Sequence, residues 1–315
     1  MRTSIIIVNY RSAGMVSDLL ASIARQGKGC IDRIIVVDND SGDDSVARLR
    51  SQIASLEMAG RAVVLDATEN AGFGAGNNLG AAWTCSSDAE SDLYWFLNPD
   101  TLVEHIDLPK IFNWFQSEKN VGIVGTGMID VAGKPDLAGR RFLSPLGEFV
   151  ANAGAFGLLR RWSVADPSLD RPGPVDWVSG ASLFIRTSVF EQLGGFDEGF
   201  FLYFEEVDLC RRARKEGWKV IYEPRSRIVH LEGSSTGVCG SKPMPTYWYE
   251  SRRRYFVKHY GVIGLWAADL AWGLGRIVGM LRGRGPSACR WRNLWRCDWP
   301  VLMGEKKLAC QHGRQ

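Results

Sequence analysis

A chain of 315 residues with 45% hydrophobic and 23% charged content is neither disordered nor fibrous, and it can bury one large α/β domain or one and a half domains. Its seven cysteines are odd in number and include no C-x-x-C pair, which argues against a disulfide framework or structural zinc and points to a reducing compartment. The net charge of +3 hides a division: residues 1–245 hold 25 Lys and Arg against 31 Asp and Glu, whereas residues 246–315 hold 13 against 4 and half of the 12 tryptophans. Such asymmetry suits an anionic partner for the C-terminal part, either a membrane or a nucleic acid.

Ser4–Tyr10 is an apolar run closed by Asn9 and Tyr10, and it predicts a buried strand almost at once, with no basic and apolar leader before it; no signal peptide is expected. A helix follows from about Met15 to Arg25. Arg33–Val37 predicts a second buried strand running into Asp38, Asn39 and Asp40; Ser45–Leu56 then reads as a helix and Ala62–Leu65 as a third strand. Alternating strands and helices predict a mostly parallel, Rossmann-like sheet with helices on both faces. Asp38 would stand at a strand's carboxyl end, where open sheets hold ligands, or would simply cap a helix.

Glu69–Asn78 is a glycine-rich loop opening a helix to about Trp83, either a cradle for phosphate at a helix N-terminus or a tight turn. Leu93–Leu97 is an uncharged aromatic run stopped by Asn98, Pro99 and Asp100. Pro99 ends the ladder, which leaves Asp100 at the rim of the sheet, where a carboxylate can hold a hard cation against a diphosphate. Leu108–Ser117 is a short amphipathic helix and Val121–Val124 a strand, whereas residues 130–176, with Arg140, Arg141, Arg160 and Arg161, read as a Gly/Pro-rich loop region. Val175–Arg186 resumes a strand. In Gly195–Arg212, the acids Glu205, Glu206 and Asp208 follow Phe200, Phe201, Tyr203 and Phe204. Acids suit the first turn of a helix, but an apolar surround also keeps a carboxylate competent to take a proton. Lys219–Tyr222 is a further strand, and His230 follows another apolar run.

The ordered set V-N-Y, V-V-D-N-x-S, E-N-x-G-F-G-x-G-N-N, L-N-P-D and F-E-E-V-D-L-C-x-R resembles the inverting family-2 glycosyltransferases of the GT-A fold, and within them the bacterial rhamnosyltransferase branch. The resemblance covers roughly Ser4 to Tyr260 and implies a glycosyltransferase domain over residues 1–245, with the donor side at about 1–105 and the acceptor side at about 106–245. It implies that Asn9, Asp38 and Asn70 line a nucleoside pocket, that Asp100 with His230 faces Mg²⁺ or Mn²⁺ and the diphosphate, and that Asn98, standing where the family's D-x-D pattern has its first Asp, touches the donor. Trp177, Gly180 and Ala181, in the family's W-x-x-G-A segment, would wall the acceptor site; a buried core Trp accounts for Trp177 equally well. Glu206 maps onto the family's general base, with Glu205 and Asp208 orienting the base or the acceptor. The implied donor is deoxythymidine diphosphate rhamnose (dTDP-rhamnose), ahead of uridine diphosphate sugars. The acceptor would be a glycan or polyprenyl-diphosphate-linked hydroxyl in cell-envelope polysaccharide synthesis. Residues 230–236 resemble the family's H-x-x-G-x-S segment, and Arg252, Arg253 and Arg254 would reach either the diphosphate or anionic lipid.

Residues 246–315 then form a basic, Trp-rich helical extension. Val262–Leu281 is long enough to span a bilayer, but Asp269 and Arg276 interrupt it, and Arg282, Arg284, Arg290, Arg292 and Arg296 follow, interleaved with Trp291, Trp295 and Trp299. These features predict a segment lying on the membrane, with the enzyme cytoplasmic and peripheral on its inner face; an ordinary buried helix is the alternative. A nucleotidyltransferase would show a basic Gly-rich loop early in the chain, and residues 9–16 lack one. A non-catalytic membrane scaffold would have no need of both acid stations, and no nucleic-acid-binding module accompanies the basic tail.

Overall fold

The computed structural model describes residues 1–26, 31–86, 91–104, 106–136, 139–154, 159, 162–164, 171–231, 244–283 and 291–302. Arg160, Arg161, Arg284, Arg290 and the expected segment 232–236 lie outside them, as do the side chains of Trp291 and Arg292. The described residues form two units, 1–140 with 167–198 and 206–237, and 141–166 with 199–205 and 238–315.

The first unit is built on β1 (Thr3–Asn9), α1 (Ala13–Arg25), β2 (Ile31–Asp38), α2 (Ser45–Ser55), β3 (Ala62–Asp66), α3 (Phe73–Ser86) and β4 (Leu93–Leu97). Ile5, Ile6, Ile7, Trp95, Phe96 and Leu97 are all fully buried, so consecutive residues pointing to opposite faces are covered alike, as the unbroken apolar runs require. Strands β3, β2, β1 and β4 lie side by side and parallel. Helix α3 reaches the sheet through Gly80, where a β-carbon would stand 2.6 Å from Ile6 Cγ2; only glycine permits that approach.

The chain continues through β5 (Thr101–Leu102), α4 (Leu108–Ser117), β6 (Val121–Ile129), β7 (Pro135–Asp136) and β8 (Gly139–Arg140). Asp107 caps α4 by accepting from the Lys110 N–H at 3.1 Å. Where the sequence predicts one strand from Val175 to Arg186, the structure has three, β9 (Gly173–Val175), β10 (Trp177–Val178) and β11 (Ser182–Arg186), separated at Asp176 and Ser179–Ala181. Lys219–His230 is conversely one twelve-residue strand, β12, whose pairing with β6 shifts register between Glu223 and Arg227. The main sheet runs β3-β2-β1-β4-β11-β6-β12-β5, with β7 and β9 attached to β6 and β12, and β8 pairs β10 separately. Because β11 is antiparallel to both neighbours and β5 to β12, the sheet is mixed rather than uniformly parallel. After α4 the chain forms α5 (Pro145–Ala153) in the second unit, then α6 (Thr187–Gln192) and α7 (Glu205–Lys215).

In the second unit α5 occupies part of the stretch expected to be loop; Ser144 caps it by accepting from the Gly147 N–H at 3.1 Å. The span α8 (Thr246–Leu281) is broken at Gly261, whose φ of 71° and ψ of −179° belong to no helix. Arg252 and Asp269 lie seventeen positions apart, about 25 Å along a straight helix, yet their side chains bond at 2.8 Å. The two arms, 246–260 and 262–281, therefore fold back on each other, and glycine supplies the left-handed corner. Helix α9 (Trp291–Leu302) packs on α8 through a core of Tyr249, Trp272 and Leu294.

Arg252 sits in this core with its side chain 1% exposed, within 2.8 Å of Asp269, 3.1 Å of Glu148 and 3.6 Å of Asp298. It was expected to reach diphosphate or lipid; burial excludes both. Burial alone would lower its pKa, but the three carboxylates outweigh that and raise it. Burial and the neighbouring Asp269 charge push Asp298 up to about 8.

Candidate active site

Parallel register places Asn9 of β1 beside Asp38 of β2 at the sheet's carboxyl edge. The Asn9 amide donates to Asp38 Oδ1 at 2.5 Å and to Ser41 Oγ at 3.2 Å, while its oxygen accepts from the Ser12 N–H and hydroxyl. Asp38 also accepts from the Ser41 hydroxyl and N–H, so it closes an Asx turn and caps no helix. Both residues are buried and engaged with their own loops. Asn39, not singled out in the sequence, carries the connection onward by donating to Asn70 Oδ1 at 3.1 Å and to the Gly72 carbonyl at 2.9 Å. Asn70 Oδ1 accepts from the Gly72 N–H as well, which folds the glycine-rich loop back under itself.

Tyr10 and Arg11 stand exposed at the end of β1. The Arg11 guanidinium lies 5.2 Å over the Tyr10 ring, its backbone is in the left-handed region at φ 52°, and its Nε donates to the Ser41 carbonyl at 3.0 Å. Sequence reasoning missed the pair; an aromatic followed by a cation directly after a buried strand was the available signal.

At the end of β4, Asn98 donates its backbone N–H to the Ala181 carbonyl at 3.1 Å and accepts from the Thr101 hydroxyl at 2.7 Å. Two residues on, Asp100 is 2% exposed. Thr101 pairs with His230, the last residue of β12, and the Leu231 N–H donates to the Asp100 carbonyl at 2.9 Å. This pairing brings His230 Nε2 within 3.5 Å of Asp100 Oδ1. Among the described residues no cluster of three or more His, Cys, Asp or Glu side chains could hold an ion alone. One buried carboxylate and one imidazole, with Nδ1 of that ring buried and accepting no hydrogen bond from the described residues, nevertheless suit a hard cation that completes its shell with phosphate oxygens.

The aromatic-flanked acids begin α7. Glu206 is half-buried, and a β-carbon on Gly180 would stand 3.4 Å from Glu206 Cβ and 3.7 Å from Phe73 Cε1. The Gly180 backbone thus meets Glu206 and the first residue of α3, with Ala181 and Asn98 beside it. Asn78 of α3 ties the preceding loop in place, since it donates to the Phe196 carbonyl and accepts from the Phe196 N–H, both at 2.9 Å. Below Glu206, burial pushes the Cys210 thiol up to about 12, which keeps it neutral. Asp208 is fully buried and accepts from Arg212 at 2.7 Å, and Arg212 donates onward to the carbonyls of Leu193 and Gly195. Its burial keeps the Asp208 carboxylate from direct contact with an acceptor. Trp177 is 9% exposed with Arg140 over its ring, which favours the core reading over a wall open to an acceptor. Glu205 is 4% exposed and closes the 199–205 segment of the second unit, after Tyr203 and Phe204, both at positive φ (70° and 73°).

A family model described as glycosyltransferase like family 2 matches residues 2–244. The low-salt glycan biosynthesis hexosyltransferase Agl10 of Haloferax volcanii is 31% identical over 68% of this chain, a match spanning 62% of that protein's length. The N-acetylglucosaminyl-diphospho-decaprenol L-rhamnosyltransferase of Mycobacterium tuberculosis is 25% identical over 86% of this chain and 88% of its own. Among solved structures, S. aureus TarS 1-349 superimposes with a TM-score of 0.55 at 16% identity, covering 97% of this chain and 80% of that one. The mannosyltransferase PcManGT from Pyrobaculum calidifontis, in complex with GDP-Man and Mn²⁺, gives 0.55 at 14% identity, covering 96% and 80%. The fold is that of the GT-A enzymes, and with a family match over most of its length the chain belongs to the family-2 glycosyltransferases.

Proposed function

We propose that the chain transfers L-rhamnose from dTDP-rhamnose, with inversion, to a hydroxyl of a lipid-linked glycan acceptor in cell-envelope polysaccharide synthesis. The observation that carries this reading is the pairing of two acid stations in one unit: Asp100 beside His230 at the sheet edge, and Glu206 against the bare backbone of Gly180. A single in-line displacement needs one station for the leaving diphosphate and one for the attacking hydroxyl. The activity of the mycobacterial relative supports rhamnose and a diphospho-polyprenol acceptor, and Agl10 supports hexosyl transfer in glycan synthesis.

Residues 1–105 form the donor side in this reading. Asn9 and Asp38 shape the floor of the nucleoside pocket, Asn70 and Asn98 touch the donor, and Tyr10 with Arg11 offers a flat ring and a cation beside base and diphosphate. Asp100 and His230 would hold Mg²⁺ or Mn²⁺, in keeping with the Mn²⁺ of the mannosyltransferase complex. Bound there, the ion offsets the charge that develops on the leaving nucleoside diphosphate. Residues 106–245 form the acceptor side. The Glu206 carboxylate takes the acceptor's hydroxyl proton as that oxygen bonds to the anomeric carbon, and the bond from that carbon to the diphosphate breaks with its electron pair on the phosphate oxygen. Asp208 and Glu205 hold Glu206 in position, and the Gly180–Ala181 backbone leaves room for the acceptor. A lipid-linked acceptor places the work at the inner face of the membrane.

The test is Glu206→Gln, which keeps shape and removes the base. Transfer should fall at least about a hundredfold while donor affinity, read by calorimetric titration, changes little. Near-normal turnover would remove Glu206 from the role.

A further inference from the structure

The outer arm of α8, residues 262–281, turns two chemically different faces. Leu265, Ala268, Asp269, Trp272 and Gly279 are buried within the unit. On the other side Ile263, Trp266, Leu270, Leu274, Ile277 and Leu281 recur every three or four positions, and all are exposed, Ile263 and Leu281 at 83% and Leu270 at 62%. Met280 joins them at 57%. A separation of three or four puts residues on one helix face, so this is a continuous apolar stripe about 27 Å long. Soluble surfaces carry scattered apolar residues, and a patch of this extent marks an interaction surface.

Three observations select the occupant. Trp266 meets Trp295 edge-on at 5.8 Å, and Trp295 lies tilted against Trp299 at 5.5 Å, with Trp266 and Trp299 part-exposed; such rings favour the headgroup level of a bilayer. Lys258, Arg282 and Arg296 of the same unit are exposed, in a stretch whose balance is 13 basic residues to 4 acidic. That excess would repel a second copy of the same surface and attracts anionic lipid. The stripe's opposite face is pinned by the Asp269–Arg252 bond, so the arm cannot cross a bilayer without pulling apart the buried network of Arg252, Asp269, Glu148 and Asp298.

We propose that the exposed face of residues 262–281 lies parallel to an anionic bilayer at its headgroup–acyl boundary, and that the enzyme is held there without spanning. The attachment is independent of which sugar the site moves. The full-length protein should co-float with vesicles of equimolar phosphatidylcholine and phosphatidylglycerol, bind at least about tenfold less to phosphatidylcholine alone, and release in alkaline carbonate. The triple variant Leu270→Glu, Leu274→Glu, Ile277→Glu alters only exposed side chains. It should keep the far-UV circular dichroism and donor hydrolysis of the parent while its vesicle partitioning falls at least about a hundredfold. Equal flotation of parent and variant would overturn the proposal, as would carbonate resistance, which means a spanning helix. Absence of flotation together with a parent dimer that the variant dissolves, read by sedimentation velocity, would also overturn it and assign the face to self-association. Loss of transfer with Glu206→Gln and loss of flotation with the stripe variant are separate readouts, so either assignment can fail alone.

Discussion

Replacing Arg252 by methionine removes the one cation in a cluster of three buried carboxylates. Asp269 and Asp298 are each 1% exposed at the side chain and Glu148 10%. Removing one partner of such a pair costs about 3–5 kcal/mol, because the remaining charge keeps its desolvation penalty without the attraction that offset it. A second route sets a ceiling of similar size. With Asp298 pushed up to about 8, that group already carries a proton at neutral pH, so the loss of Arg252 falls chiefly on Asp269. Forcing a proton onto a carboxyl of ordinary pKa 3.8 costs about 1.4 kcal/mol per pH unit, which bounds the loss at about 4 kcal/mol at pH 7 and about 2 kcal/mol at pH 5; burial already raises Asp269 with Arg252 in place, so the parent bears part of that cost. Urea unfolding of parent and Arg252→Met, followed by tryptophan fluorescence at both pH values, reads the difference directly; half of the tryptophans lie in residues 246–315. Adding Asp269→Asn should restore most of the loss. A deficit below about 1 kcal/mol at pH 7, or one that does not shrink at pH 5, would refute the account of Arg252 as the charge that holds the two arms together.

Two further outcomes are expected. Because burial, then the Asp269 charge, raises Asp298 in the folded chain, the native state keeps a proton that the unfolded state releases. Stability should therefore decline as pH rises from about 4 to about 8, and Asp298→Asn should flatten the descent in melting temperature; parallel slopes would contradict it. Asp100→Asn should weaken donor binding in the presence of Mn²⁺ or Mg²⁺ by at least about tenfold and abolish its metal dependence; full metal dependence in calorimetry would remove Asp100 from the ion's site.

The elements near the active site were legible because each depends on a local signal. Unbroken apolar runs ending in polar residues fixed β1, β2 and β4, and Leu108–Ser117 is found with the expected bounds because a capping acid and a proline mark its start. The association of Asp100 with His230 was read from resemblance and is geometric fact through the Thr101–His230 register. What failed to show was long-range pairing. Arg252 read as one of a basic run and Asp269 as a penalty within an apolar segment, since nothing local reveals that Gly261 folds the two together. Helix α5 was hidden because its surroundings are rich in glycine and proline, and its stability comes from packing on α8 rather than from its own periodicity. The saturation of Asn9 and Asp38 by Ser12 and Ser41 was equally invisible, because spacing cannot say which partner a polar side chain prefers.

The short link between β4 and β5 has a thermodynamic meaning. Asn98, Pro99 and Asp100 are flanked on both sides by sheet pairing, and the Asn98 N–H and the Asp100 carbonyl are held by Ala181 and Leu231. Fixing the backbone of a loose loop costs about 1–2 kcal/mol per residue, drawn from ligand affinity each time the ligand arrives. Here that entropy is surrendered once, when the chain folds. A charged ligand seated at Asp100 therefore meets a carboxylate already in place, and its binding free energy at this corner is set by charge and desolvation rather than by the ordering of the protein.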